Sequence, residues 1–251
     1  MKRIGLWGVL ATVALVLGGG FLAFVWLPSA QRDPGESLFA AWCGAWGVPR
    51  NWLTSTPLPP TRTSDVVLTH RLLGDADSGD IGHGATLALR CTMCHGPTGI
   101  SYANSPNLAG QYAVVVYKQL RDYKSGARSN AIMTVMARNL SEDEMRQLAL
   151  YYASLPRPPG AHLSRVAPPI VKWGAPMRDI APCGSCHGDV DHTLASPWLG
   201  GEPASYIRGQ LLAFATSERN NDINGQMRAM AHGLTRQEIE AAVAYYGGNM
   251  P

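Results

Sequence analysis

The chain has 251 residues, 46% of them hydrophobic and 16% charged, with a formal net charge of +3. That length holds one or two domains with ample core, and the scattered Lys and Arg exclude an electrostatic nucleic-acid binder. With 27 Gly and 18 Pro the chain stays below the share that signals disorder, and five cysteines are too few for a disulfide scaffold of this size.

The first predicted element is a membrane anchor over residues 1–27. Met1-Lys2-Arg3 is a short basic start, and the 24 residues Ile4–Leu27 carry no charge. At ~1.5 Å per residue this helix reaches roughly 36 Å, enough to cross a ~30 Å hydrocarbon layer with some tilt. Trp7 and Trp26 stand near its ends, as interface aromatics do. A cleaved signal peptide would have a shorter apolar run and a small-x-small site, which Pro28-Ser29-Ala30 does not supply. The basic residues favour the cytoplasmic side. The rest of the chain is therefore expected outside the cytoplasm: a single-pass inner-membrane protein with its globular part in the periplasm.

Residues 28–74 read as a linker region with no counterpart elsewhere in the chain. Leu38 to Trp46 suggests a short helix, lying on the membrane surface or packed on the soluble part. Thr56-Pro57-Leu58-Pro59-Pro60-Thr61 is a stiff proline-rich spacer.

Beyond the linker the sequence repeats itself. Cys91-Thr92-Met93-Cys94-His95-Gly96 returns as Cys183-Gly184-Ser185-Cys186-His187-Gly188. Pro106, Gln119-Leu120, Arg128, Met133, Met136, Leu140-Ser141 and Tyr151-Tyr152 return in order as Pro197, Gln210-Leu211, Arg219, Met227, Met230, Leu234-Thr235 and Tyr245-Tyr246. Two homologous domains follow, over 75–157 and 172–251, joined by a proline-rich linker over 158–171. Each repeat reads as helical, with a helix before the cysteine motif, a periodic helix over Tyr112–Tyr123 and capping boxes at Ser141–Glu144 and Thr235–Glu238. No alternating strand pattern stands out.

Cys-x-x-Cys-His is the attachment signature of c-type haem. Two thiols one helical turn apart add across the two vinyl groups of one porphyrin, and the adjacent His reaches the iron. A four-Cys zinc site needs closer pairs and no His, a thioredoxin-like dithiol needs a βαβ context, and local disulfides leave both histidines unexplained. The expected cofactors are two covalently bound haem c groups, on Cys91, Cys94 and His95 and on Cys183, Cys186 and His187. A methionine as sixth ligand closes the iron to peroxide and oxygen and raises its potential. Met133 or Met136 can serve in the first repeat and Met227 or Met230 in the second, and spacing alone does not choose.

Both repeats look like class I cytochrome c domains, and the tandem with its Tyr-Tyr endings resembles the dihaem cytochromes c of the c4 type from about Asp75 to Met250. The resemblance implies Met133 and Met227 as iron ligands, with Met136 and Met230 packing the haem pockets. It also implies a supporting role for Pro106 and Pro197, whose carbonyls would accept the free N–H of the proximal histidines. The anchor and the extra segment before the first haem domain depart from that family and suggest a dedicated partner.

The fold expected is all-α: a transmembrane helix followed by two tandem cytochrome c domains. The function expected is electron transfer outside the cytoplasmic membrane, by a carrier or an electron-transfer subunit rather than an enzyme acting alone. Its partners would be a quinol–cytochrome c reductase or periplasmic dehydrogenase and a terminal oxidase, with no nucleic acid. The competing reading is a dihaem redox enzyme, a peroxidase or thiosulfate-oxidising cytochrome, with one open haem site. His70, His83, His162, His192 and His232 read as surface or capping residues, Cys43 as buried or membrane-adjacent, and Tyr112, Tyr117, Trp198 and Tyr206 as aromatic core or haem edge. Residues 83–157 hold eight Lys and Arg against four Asp and Glu, whereas residues 172–250 hold six against eight; such a dipole could orient docking.

Overall fold

The computed structural model describes residues 5–26, 29, 37–45, 64–67, 78–157, 166–188 and 196–248. These residues are helical, and among them extended pairing is confined to the isolated bridges Ala175–Ile180 and Pro203–Gly248. The chain divides into two compact units, residues 1–56 with Met177–Asp179, and residues 57–176 with 180–251. The spacer at Thr56–Thr61 and most of the linker expected over 158–171 lie outside the described residues.

In the first unit, α1 (Leu6–Phe21) runs into a π-helical turn at Leu22–Trp26. Residues Trp7–Trp26 make one apolar stretch of 20 residues, none of it buried. By length and composition this stretch is long and apolar enough to cross a membrane. The short helix expected from Leu38 onward is α2 (Leu38–Ala45). Its Phe39 and Trp42 are exposed with ring centroids 6.4 Å apart, and Cys43 is buried.

The second unit contains two small helical bundles. The first comprises α3 (Ser78–Ala88), a 3-10 turn (Leu89–Cys91), α4 (Thr92–His95), α5 (Ala113–Ser125), α6 (Met133–Arg138) and α7 (Glu142–Ser154). The capping box at Ser141 and Glu144 starts α7, whose Met145, Leu148, Ala149 and Tyr152 meet Ala88, Val116 and Leu120 in one core. Burial of each large apolar side chain there contributes about 1.5–3 kcal/mol. The helices α3 and α7 cross at Gly84, where a Cβ would stand 2.2 Å from the Gln147 carbonyl oxygen. Ser64, from the segment read as linker, donates to Asp122 of α5 at 2.6 Å.

The second bundle comprises α8 (Pro169–Lys172), α9 (Cys183–His187), α10 (Ala204–Ala215), α11 (Gln226–His232) and α12 (Arg236–Tyr246), the last opened by the capping box of Thr235 and Glu238. Its core gathers Ile170, Val171, Ile180, Ile207, Leu234, Ile239, Val243 and Tyr246. This bundle therefore begins before residue 172, where the repeat placed its start. Ile170 and Val171 are core residues of α8, a helix with Pro169 in its first turn. Gly174-Ala175-Pro176 ends α8 after one turn, so it has no counterpart to the 11 residues of α3.

Candidate haem sites

Each cysteine motif occupies one tight turn of helix. Cys91 closes the 3-10 turn, and Cys94 and His95 follow on α4. Gly96 ends that helix at φ +74°, where a Cβ would stand 1.9 Å from the Ile100 carbonyl oxygen, so the chain can fold back beneath the motif only with glycine there. The returning loop is pinned by Ser101, whose hydroxyl donates to the Cys94 carbonyl at 2.8 Å and whose N–H donates to Asn107 Oδ1 at 2.8 Å. Pro106 is thereby set beneath His95, and its carbonyl oxygen lies 2.9 Å from His95 Nδ1. In the second bundle Cys183, Cys186 and His187 lie on α9, and His187 Nδ1 is 2.8 Å from the Pro197 carbonyl oxygen.

The electrostatics suit neutral imidazoles. Burial lowers the pKa of both His95 and His187, with the proline carbonyls working in the opposite direction. With Nδ1–H donated to a carbonyl, Nε2 keeps its lone pair for a metal. Burial raises the Cys91 thiol and pushes Cys183 up to about 11. None of the five cysteines is paired in a disulfide. Among the described residues no three His, Cys, Asp or Glu side chains converge as a metal cluster, so the two motifs do not combine as a zinc site would require. Paired thiols on one turn and an oriented imidazole fit covalent haem.

The methionine pairs separate by burial and partner. Met133 opens α6 and packs partly buried against the first core, whereas Met136 is 37% exposed. Met227 is half-buried on α11. Met230 packs on the second core, and its thioether accepts the Ala181 N–H at 3.2 Å, two residues before Cys183.

The other residues singled out from sequence have ordinary surroundings. His83 is exposed, His232 Nδ1 lies 3.3 Å from the Ala215 carbonyl, and His70, His162 and His192 are outside the described residues. Arg157 lies over the rings of Tyr112 and Trp198 at 5.0 and 4.3 Å, Tyr117 donates to Glu142 at 2.6 Å, and the Tyr206 hydroxyl accepts from Arg128 at 3.2 Å.

The bundles meet across a buried polar network that the sequence reading missed. Arg128 donates to Gln119 at 2.8 Å and to Gln210 at 2.7 Å, and Arg219 donates to Gln210 at 2.6 Å and Gln119 at 3.3 Å. Each arginine thus binds the equivalent glutamine of both repeats. Lys118 pairs with Asp122 at 2.6 Å and also donates to the Asn221 carbonyl at 2.7 Å, and Asn221 Nδ2 donates to Asp122 at 2.6 Å. The signal lay in the repeat itself: Gln119 and Arg128 recur as Gln210 and Arg219, although nothing in spacing required them to be interfacial. Lys118, Asp122 and Arg128 of the first bundle and Glu202, Asp222 and Arg228 of the second are buried, so none of these charges lies on the outer surface.

Comparison with known proteins agrees with this geometry. The family model for cytochrome c matches residues 81–156. Cytochrome c4 of Thiocapsa roseopersicina is 39% identical over 166 residues, which span 63% of this chain and 86% of that protein.

The chain belongs to the cytochrome c4 family.

Cytochrome c4 of Pseudomonas aeruginosa is 33% identical over 73% of this chain and 96% of its own length. A relative from Stutzerimonas stutzeri described as a thiosulfate dehydrogenase electron acceptor is 36% identical over 63% of this chain and 78% of that protein. Among solved structures, reduced cytochrome c4 from Pseudomonas stutzeri aligns with TM-score 0.61 at 29% identity, covering 67% of this chain and 97% of that one. A thiosulfate dehydrogenase from Marichromatium purpuratum aligns with TM-score 0.59 at 27% identity, covering 66% of this chain and 39% of that one. As a c4-family member the chain is an all-α dihaem class I cytochrome that carries two covalently bound haem c groups and transfers electrons.

Proposed function

We propose that this chain is a membrane-tethered dihaem electron carrier. It would receive electrons outside the cytoplasmic membrane from a periplasmic dehydrogenase or a quinol–cytochrome c reductase and pass them to a terminal oxidase, as a carrier or a bound subunit. The observation that carries the reading is the duplicated support of the proximal imidazoles, His95 on the Pro106 carbonyl and His187 on the Pro197 carbonyl. Cys91, Cys94, Cys183 and Cys186 would hold the porphyrins, and His95 with Met133 and His187 with Met227 would bind the irons. When bound, haem supplies one-electron exchange between ferrous and ferric iron. The chain would contribute orientation and potential: each proline carbonyl would fix its histidine's tautomer, and each thioether would bind the iron and raise its potential.

The availability of a methionine to each repeat, Met133 in the first and Met227 in the second, favours transfer over a peroxidase or another enzyme with an open haem. The relative named as a thiosulfate dehydrogenase electron acceptor supports a dehydrogenase donor of that class. The lipid-compatible Trp7–Trp26 helix supports a tether to the inner membrane with the haem domains in the periplasm, because a tethered carrier meets its partners in two dimensions. Oxidised and reduced absorption spectra of the purified holoprotein test the core of the reading. Two low-spin haems with a methionine–iron band near ~695 nm are expected, and rapid cyanide or CO binding by either haem would replace transfer with catalysis.

A further inference from the structure

The interface treats the two haem sites unequally. The peptide between Pro106 and Asn107 has its oxygen on His95 Nδ1 at 2.9 Å and its N–H on Glu202 Oε2 at 2.9 Å. One amide therefore links the proximal histidine of the first bundle to a carboxyl of the second. The mirrored peptide, Pro197–Trp198, has its oxygen on His187 Nδ1 at 2.8 Å and its N–H on Gln111 Oε1 at 2.9 Å. Gln111 and Glu202 occupy equivalent positions of the repeat, 91 residues apart as Pro106 and Pro197 are. The arrangement is crossed, with each bundle supplying the side chain behind the other's histidine, and only one of the two side chains can carry charge.

We propose that Glu202 is a redox-linked proton site for the first haem, taking up a proton when the iron at His95 is reduced and releasing it when that iron is oxidised. Reduction adds one electron from the donor to the iron and one proton from water to the Glu202 carboxylate, and oxidation returns both. The proposal rests on the dihaem electron-transfer reading above. The coupling follows from the amide. An anionic Glu202 pulls on the Asn107 N–H, makes the Pro106 oxygen a stronger acceptor and gives His95 more imidazolate character, which favours ferric iron. A neutral Glu202 withdraws that support and favours ferrous iron.

The surroundings make proton exchange at this carboxyl accessible to ordinary pH. Glu202 is 4% exposed, and burial pushes its pKa up to about 8 against the lowering effect of the Asn107 N–H. Among the described residues the ionisable side chains on the segments packed around it are these. Arg157 is turned onto the Tyr112 and Trp198 rings and onto the Gly110 carbonyl at 2.9 Å; Tyr112 lies on the first-bundle loop, Tyr246 ends α12, and His95 stands behind the peptide. Among the described residues no cation is set against the carboxyl to keep it ionised: its shift has burial and the Asn107 amide as its causes. The mirror site shows what the position accommodates, since Gln111 both accepts the Trp198 N–H and donates Nε2–H to the Trp198 carbonyl at 3.0 Å. A carboxylic acid has the same acceptor-and-donor pattern as that amide, whereas a carboxylate has no donor.

Spectroelectrochemical titration of the holoprotein over a pH series spanning about 8 tests this, with Glu202→Gln and Gln111→Glu beside the wild type. The wild type should show two one-electron waves with unequal pH profiles. One should fall with rising pH by up to tenfold in its redox equilibrium constant per pH unit, about 59 mV for one electron. Glu202→Gln should flatten that excess and leave the wave near its acid-side potential, and Gln111→Glu should bring a similar dependence to the other wave. A redox-difference infrared spectrum should contain a carboxylic-acid band that Glu202→Gln removes. Parallel profiles in the wild type, or an excess pH dependence that survives Glu202→Gln, would overturn the proposal. Fewer than two waves would instead strike the dihaem reading on which it rests.

Discussion

Glu202 and Gln111 lie across the domain interface from each other's repeat, and each accepts a backbone N–H at 2.9 Å from the residue after a histidine-supporting proline. The pair records how duplication builds asymmetry. The backbone geometry is copied, one side chain differs by a titratable group, and the two haem environments cease to be equivalent.

The same carboxyl sets a pH dependence of stability. Its folded pKa is raised to about 8, so the folded state binds a proton that the unfolded chain gives up nearer ordinary carboxyl values. Its contribution is therefore full at low pH, declines as pH rises from about 4 toward 8, and is gone above that. Glu202→Gln should remove this part of the slope, read from denaturant midpoints at successive pH values; an unchanged slope would place the dependence elsewhere.

Removal of one partner from the buried interface pair should be costly. Asp122 is fully buried and accepts from Lys118, Ser64 and Asn221, so Asp122→Ala leaves a buried ammonium ion without its counter-charge. A loss of about 3–5 kcal/mol is expected in chemical denaturation. Arg208→Ala, which breaks the exposed pair with Glu240, should leave the midpoint unchanged.

The α3–α7 crossing has no room for a side chain at Gly84. Gly84→Val should force the helices apart against Gln147 and Tyr151 and cost about 1–3 kcal/mol by overpacking. Thermal unfolding of the holoprotein checks it. The matching change at Gly82 on the same helix, where nothing lies within 4 Å, should cost less than half as much.

Met133→Ala and Met227→Ala should each remove the sixth ligand of one haem, lower one of the two potentials and leave the other wave in place. Met136→Ala and Met230→Ala should spare both. Loss of the methionine–iron band in a Met136 or Met230 variant, with none in the Met133 and Met227 variants, would reverse the assignment.

Replacement of residues 1–27 by a cleavable export signal should release a soluble dihaem protein. Fractionation of the membranes reads the outcome. If the product still sediments, the exposed Phe39 and Trp42 of α2 or a protein partner must also hold it.

Much of this protein is written locally. The attachment motifs, the apolar run at the amino terminus, both capping boxes and the all-α class follow from residues within one or two turns of each other, where covalent spacing and hydrogen-bond geometry leave little choice. The start of the second bundle was less legible, because Ile170 and Val171 announce themselves as core only once α12 and α9 are packed against them. Of the crossed interface only the recurrence of Gln119 and Arg128 as Gln210 and Arg219 was visible, not its burial. Gln111, Gln119, Arg128, Glu202 and Asn221 are polar residues that a linear reading assigns to the surface. Their burial depends on two amphipathic bundles meeting face to face, a long-range event that no local pattern encodes. Sequence alone determined that two irons are bound; the tertiary structure decided that a carboxyl of one domain stands behind the histidine of the other.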